Sequence, residues 1–452
     1  MSLRLLLARL LGCLALSAIA FAVSGLAACS HDTDLHAQPD GGVEGGAPNR
    51  PTIEVTTLAP TLTSAPAAKT SATWAAYRLD DAAWQTLSPS AAGTYAVPVS
   101  VARWAIALVC ASDDGTLTTV FIHRRTASTR SLEVSLEEQC SPPPPVAEFG
   151  LTGTLSNLPS TTQWLDFGYA RDTRGVVLPV LSGRATYEEF GIAPGTWDLG
   201  FAIRDGSASA LTRMILLRGE MVGADRKLDI DTFGAASFAP ATKRFMLRGL
   251  DAADSISPQV LYAAGGPYGI DVGPQDVPVG MADVTLAYST VPEAKQIASD
   301  RYHGVIKAER DQRNAERSID FSIHQAIDLD VSLPEIVAAP AVVVLGTAPQ
   351  VRLETRFPVR ANSLRHEAIA LSQPNRRTQH IWHATFDAAI VAGSAEVVDT
   401  MPDLSALPGW KSEWALPVGV TATVTARTYE TLQSLGDGTM QRAAGNSTTI
   451  TP

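Results

Sequence analysis

Arg317-Ser318-Ile319-Asp320-Phe321-Ser322-Ile323-His324-Gln325-Ala326-Ile327-Asp328-Leu329-Asp330-Val331-Ser332-Leu333 alternates with a period of two. The odd positions read Arg, Ile, Phe, Ile, Gln, Ile, Leu, Val, Leu. The even positions read Ser, Asp, Ser, His, Ala, Asp, Asp, Ser. Successive side chains of a strand point to opposite faces, so this pattern puts one face in a core and the other in water. The alternation recurs at Val351, Leu353, Thr355, Phe357 and at Trp382, Ala384, Phe386, Ala388, Ile390. It recurs again at Val418, Val420, Ala422, Val424, Ala426. Helical periodicity is weak, and its best stretch is 293–300. The expectation is an all-β chain of half-buried antiparallel sheets packed as sandwiches.

Punctuation divides the chain. Its 452 residues suggest about three domains. Ser141-Pro142-Pro143-Pro144-Pro145 reads as a stiff polyproline spacer. Sandwiches are expected at 51–140, 146–238, 239–334 and 335–452, with 141–145 as the spacer. The break near Ala239-Pro240 is soft, so the second and third segments could share one larger sandwich, giving three to four tandem domains. The tail 445–452 has no core-forming run and is expected to fray. Gly93-Thr94-Tyr95-Ala96-Val97 and Gly195-Thr196-Trp197-Asp198-Leu199 form a faint repeat, the second after Ala193-Pro194. Each reads as a tight turn opening a strand, with the aromatic entering the core. This turn resembles one common in carboxypeptidase-regulatory-like and other Ig-like sandwich domains, and the resemblance implies fold rather than activity.

The first 50 residues read as an address. Arg4 and Arg9 precede an apolar run from Leu10 to Val23, and no acid occurs before Cys29. The run has the length of a signal h-region and is short for a membrane span. It ends in Leu26-Ala27-Ala28-Cys29, which resembles the lipobox of bacterial lipoproteins. The resemblance implies that 1–28 is removed and that Cys29 becomes the lipidated first residue, anchored in a bilayer. Ser30 after the cysteine leans toward the outer membrane, facing the periplasm or the cell surface. The alternative is an ordinary secretory signal cut after Ala20-Phe21-Ala22. The rest of 29–50, rich in Gly, Pro and Asp, reads as a flexible tether.

Four cysteines are present. Cys13 leaves with the signal and Cys29 is the lipid site, which leaves Cys110 and Cys140. A pair in an exported chain reads as a disulfide, the alternative being two unpaired buried thiols. The net charge is −11, and losing Arg4 and Arg9 takes it to −13, which argues against nucleic acid as a partner.

Chemistry is hard to find. The chain has no Gly-x-Ser-x-Gly elbow, Walker A loop, Gly-x-Gly-x-x-Gly or Cys-x-x-Cys. His366-Glu367 begins like a zinc-protease helix, but Ala370 stands where the second histidine belongs. His380 and His383 fall on opposite faces of one strand. Asp113-Asp114-Gly115 reads as a hairpin turn, Asp328 and Asp330 as solvated neighbours, and Asn375-Arg376-Arg377 as an exposed turn. No catalytic residue, metal or cofactor is indicated. Trp74, Trp84, Trp104, Trp164, Trp197 and Trp382 fit strand cores, whereas Trp410 and Trp414 lie on a loop and are the candidate ligand-contact residues. Three readings follow: a non-enzymatic envelope lipoprotein that binds or scaffolds an envelope protein, a surface carbohydrate-binding or adhesive protein, and an unrecognised envelope hydrolase.

Overall fold

The computed structural model describes residues 52–59, 68–98, 101–136, 149–158, 163–169, 172–178, 180, 182–192, 194–205, 211–264, 269–274, 280–310, 314–346, 351–375 and 377–452. The described chain is all-β, built of paired sheets in sandwich-type modules. The first module holds β1 (Thr52–Leu58), β2 (Trp74–Leu79), β3 (Gln85–Thr86), β4 (Thr94–Pro98), β5 (Arg103–Ala111), β6 (Leu117–Thr126) and β7 (Ser131–Ser135). One sheet runs β4-β1-β7 and the other β3-β2-β5-β6. In strand order this is fourth-first-seventh facing third-second-fifth-sixth. The first strand is antiparallel to the fourth and parallel to the seventh. Ile53, Val55, Tyr95, Val97, Trp104, Ile106, Leu108, Phe121, Leu132 and Val134 fill the space between.

The same order recurs. The second module holds β8 (Phe149–Ser156), β9 (Gln163–Tyr169), β10 (Asp172–Leu178), β11 (Ala185–Ile192), β12 (Gly195–Asp205), β13 (Leu211–Val222), β14 (Arg226–Lys227), β15 (Ile230–Asp231) and β16 (Ser237–Phe238). Its sheets run β11-β8-β14, with β15 also on β8, and β10-β9-β12-β13-β16. The third holds β17 (Ala241–Arg248), β18 (Ser255–Ala263), β19 (Ile270–Asp271), β20 (Val284–Thr290), β21 (Arg301–Arg310), β22 (Ala315–Ile323) and β23 (Leu329–Ser332). Its sheets begin β20-β17-β23 and β19-β18-β21-β22. The Gly-Thr-aromatic turns are out of step with this repeat. Tyr95 is buried on the fourth strand of its module, whereas Trp197 is buried on the fifth strand of its own.

The fourth module departs from the pattern. It holds β24 (Ala341–Leu345), β25 (Arg352–Pro358), β26 (Ser363–Asn375), β27 (Thr378–Asp387), β28 (Glu396–Thr400), β29 (Ala422–Glu430), β30 (Gln433–Leu435) and β31 (Gly438–Ile450). Its larger sheet, β27-β26-β29-β31, keeps the shared order. In its small sheet, β24-β25-β28, the place of the seventh strand is taken by β24, which precedes β25 and lies antiparallel to it.

The deciding stretch, 317–333, is two strands rather than one. β22 and β23 lie in opposite sheets, yet Ile319, Phe321 and Ile323 enter the core from one side and Leu329 and Val331 from the other. The alternation survives the crossover because each sheet turns the odd residues inward. The weak helical stretch yields only a single 3-10 turn, Glu293–Lys295. Ala388–Ile390 is also a 3-10 turn, and β29 starts at Ala422 rather than Val418.

The tail does not fray. Residues 445–450 complete β31, which pairs with β29 on one side and β22 on the other. The β22–β31 register runs from Ala315↔Asn446 to Ser322↔Thr439. The third and fourth modules therefore share one continuous sheet, β19-β18-β21-β22-β31-β29-β26-β27. Backbone pairing on both sides holds a strand whose small residues carry no apolar signal of their own. Gly438 opens the seam, where an added Cβ would overlap the Ser322 carbonyl. Gly438→Ala is expected to cost about 2 kcal/mol and to speed hydrogen exchange in β22 and β31. Unchanged exchange there would show that the seam tolerates the methyl group.

The chain forms two compact units. One holds β1–β7 together with Leu404–Trp414, a segment that interrupts the fourth module's sequence. The other holds β8–β31. Within it, Ala202, Met214, Leu216 and Phe238 of the second module join the third module's core. The soft break near Ala239-Pro240 is thus bridged by a shared core.

Candidate functional site

The candidate tryptophans lie in the first unit. Leu404 and Trp414 are buried, and Ser412–Trp414 forms a 3-10 turn. Trp74, at the start of β2, donates its indole N–H to the Pro408 carbonyl at 3.0 Å. Its ring meets Trp410 edge-on at 5.4 Å between centroids and Trp414 at 6.2 Å. Trp410 and Trp414 meet at 5.5 Å and 87°. Gly409 has φ of +80°, and an added Cβ would stand 3.3 Å from the Trp74 ring. The glycine lets the turn pass close under the indole. Lys411 lies over the Trp414 ring at 5.5 Å and reaches Glu413 at 3.7 Å. Edge-to-face packing of this kind adds about 0.5–1.5 kcal/mol per pair beyond burial. Trp74 is thus half-buried against the segment 404–414 rather than a core residue of its strand, while Trp84 is half-buried with Arg78 over its ring. Trp104, Trp197 and Trp382 are core residues.

The geometry makes Trp74 the post to which the segment is tied. In Trp74→Ala, tryptic cleavage after Lys411 is expected to rise about tenfold, equivalent to roughly 1.4 kcal/mol of lost docking. Cleavage at the wild-type rate would contradict this role.

A second cluster is buried along β26, β27 and β29 and gave no motif in the sequence. Glu367 on β26 meets Arg365 Nε at 3.1 Å and His383 Nε2 at 3.5 Å. The Tyr429 hydroxyl donates to Glu367 at 3.0 Å, and Arg365 stacks over the Tyr429 ring at 4.2 Å. Arg427, opposite Glu367 in the register, pairs with Glu316 of β22 at 3.3 Å across Gly445 of β31. Burial alone would raise the Glu367 carboxyl, but Arg365, His383 and Arg427 hold it well below the usual carboxylate range. Burial pushes the Tyr429 hydroxyl up. The signal was present: Arg365-x-Glu367 and Arg427-x-Tyr429 each place two polar groups on one strand face.

The histidine before Glu367 points the other way. His366 is fully buried, with Nε2 2.7 Å from Ser363 Oγ and Nδ1 3.2 Å from Thr428 Oγ1. The stretch that opens like a zinc-protease helix is a strand, so its histidine and glutamate part to opposite faces.

The remaining candidates have structural partners. Asp328 accepts from the Arg244 backbone N–H at 2.8 Å, and the two oxygens of Asp330 accept from Nε and Nη2 of Arg248. Asp114 sits in the turn between β5 and β6, where bonds from Thr116 and Ser112 lower its carboxyl to about 2. Asn375 Oδ1 accepts from the N–H groups of Arg377 and Thr378, closing the turn between β26 and β27. Cys110 is buried on β5, while Cys29 and Cys140 lie outside the described residues. Among the described residues, no three His, Cys, Asp or Glu are placed to hold a metal ion. No described helix is long and apolar enough to cross a membrane. No protein-family model matches the chain, and no curated protein matches it either.

Proposed function

We propose that the protein is a lipid-anchored envelope lipoprotein with a non-enzymatic binding or scaffolding role, its Ig-like modules carried on a tether from Cys29. The observation that carries this reading is Leu26-Ala27-Ala28-Cys29 at the end of an acid-free apolar run. Two or three acyl chains, at about 0.8 kcal/mol per buried methylene, would anchor it firmly. The scaffolding role is supported by how the chain spends its polar groups. Asp254 is tied to Arg317 inside the third module, and Asp300 to Arg218 of the second, so one pair stiffens a module and the other joins two. A Cys110–Cys140 disulfide belongs to the same proposal, as does placement at the outer membrane.

Fractionation of expressing cells tests the anchor. The wild-type chain is expected in the membrane fraction, and Cys29→Ala is expected to lose lipid labelling by an alkynyl fatty acid. Labelling that persists in Cys29→Ala would overturn the assignment.

A further inference from the structure

The small sheets end differently. In the first module, β7 buries Leu132 and Val134 and turns Glu133 outward. In the third, β23 buries Leu329 and Val331 and turns Asp330 outward. These are edge strands guarded by charge, the usual defence against pairing with another chain. The corresponding strand of the fourth module, β24, reads Ala341-Val342-Val343-Val344-Leu345. It carries no charge, none of its residues is buried, and Val343 and Val344 are 50% and 36% exposed. Among the described residues it pairs with β25 alone.

We propose that β24 is a self-association edge, pairing antiparallel with β24 of a second copy. The strand is self-complementary. A dyad through Val343 sets Val343 against its twin, Val342 against Val344 and Ala341 against Leu345, so no like charges meet in the new ladder. β-branched residues directly opposite each other favour such a ladder. The chain already joins modules this way, since β22 and β31 meet edge to edge and antiparallel. A five-residue ladder buries less than the roughly 1,200 Å² of a stable interface, so the association is weak in solution. The net charge of −11 opposes it further at low ionic strength.

Cysteine cross-linking of the full chain in membranes tests this. Directly opposed residues of an antiparallel pair lie about 4.5–5.5 Å apart at Cα, within reach of a disulfide. Under mild oxidation, Val343→Cys is expected to give at least about fivefold more covalent homodimer than Ser131→Cys on the guarded β7 edge. Adding Val344→Lys to Val343→Cys places two lysines near the dyad and is expected to abolish that excess, with hydrogen exchange in β25 and β28 unchanged. Homodimer no greater than in the Ser131→Cys control would overturn the proposal. So would a cross-link to a different protein, which would make β24 a docking edge for an extended partner segment instead.

Discussion

Replacing Arg218 with alanine is expected to destabilise the joint between the second and third modules by about 3 kcal/mol. Arg218, on β13, reaches across to Asp300 with Nη2–Oδ2 at 2.7 Å and Nη1–Oδ1 at 2.9 Å. It also holds Asp198 of β12 at 2.9 Å. The Asp300 side chain is 0% exposed and also accepts from the Tyr262 hydroxyl and the Ile297 N–H. Removing the guanidinium strands a buried carboxylate, and that loss dominates the effect. The two remaining donors, and the part of Arg218 that water reaches, keep the cost at the low end of the range for a broken buried pair. The charge logic gives a control. In Asp300→Asn the stranded charge is absent, so Arg218→Ala made in that background should cost well under half as much. Hydrogen exchange in β13 and β18 reads both effects locally, which suits a chain of two compact units better than one global unfolding free energy. Equal costs in both backgrounds would contradict the account of Asp300 as a buried charge held by Arg218.

Between pH 6.5 and 4 the fourth module is expected to lose roughly 3 kcal/mol through His366. Burial pushes its pKa down to about 4, against about 6.5 for an unfolded histidine. In that window the unfolded chain binds the proton and the folded ring does not. The contribution is therefore whole above pH 6.5 and is lost as pH falls through the unfolded value toward the folded one. His380 is shifted the same way by burial, so a residual slope remains in any His366 variant. His366→Gln can still bond to Ser363 and Thr428 but cannot titrate, and its stability should change less over the window, as read by hydrogen exchange in β26 and β29. The same slope in both proteins would show that His366 takes up its proton without unfolding.

How far the fold is legible in residues depends on where the information sits. Alternation at Ile319, Phe321, Ile323, Leu329 and Val331 is local, and it reports burial correctly even though the chain changes sheets between Ile323 and Leu329. The all-β class follows from such stretches alone. β31 is different. Ala443, Ala444 and Gly445 lack bulk because the strand is flanked by partners on both sides, with Arg427 and Glu316 meeting over Gly445. What fixes it is pairing with strands more than a hundred residues away in the case of β22, which no local window contains. The partnership of Trp74 with Pro408 is longer-range still, at 334 residues of separation. The aromatic pair Trp410 and Trp414 was visible as a loop feature, but its third member was not. The guarded edges of β7 and β23 were legible in principle, since Glu133 and Asp330 stand between inward apolar residues. Ala341–Leu345 has no polar position to mark a wet face, and the structure shows that the strand lies exposed.

The proposed anchor at Cys29 would set the compartment, the tether and the partners that the modules can meet, so the functional proposal rests on it. Mass spectrometry of the mature protein's N-terminal peptide, taken from purified membranes, measures it directly. The account predicts a peptide beginning at Cys29 with a diacylglyceryl group on its sulfur. An unmodified peptide beginning at Val23 would contradict it and make the protein an ordinary secreted chain.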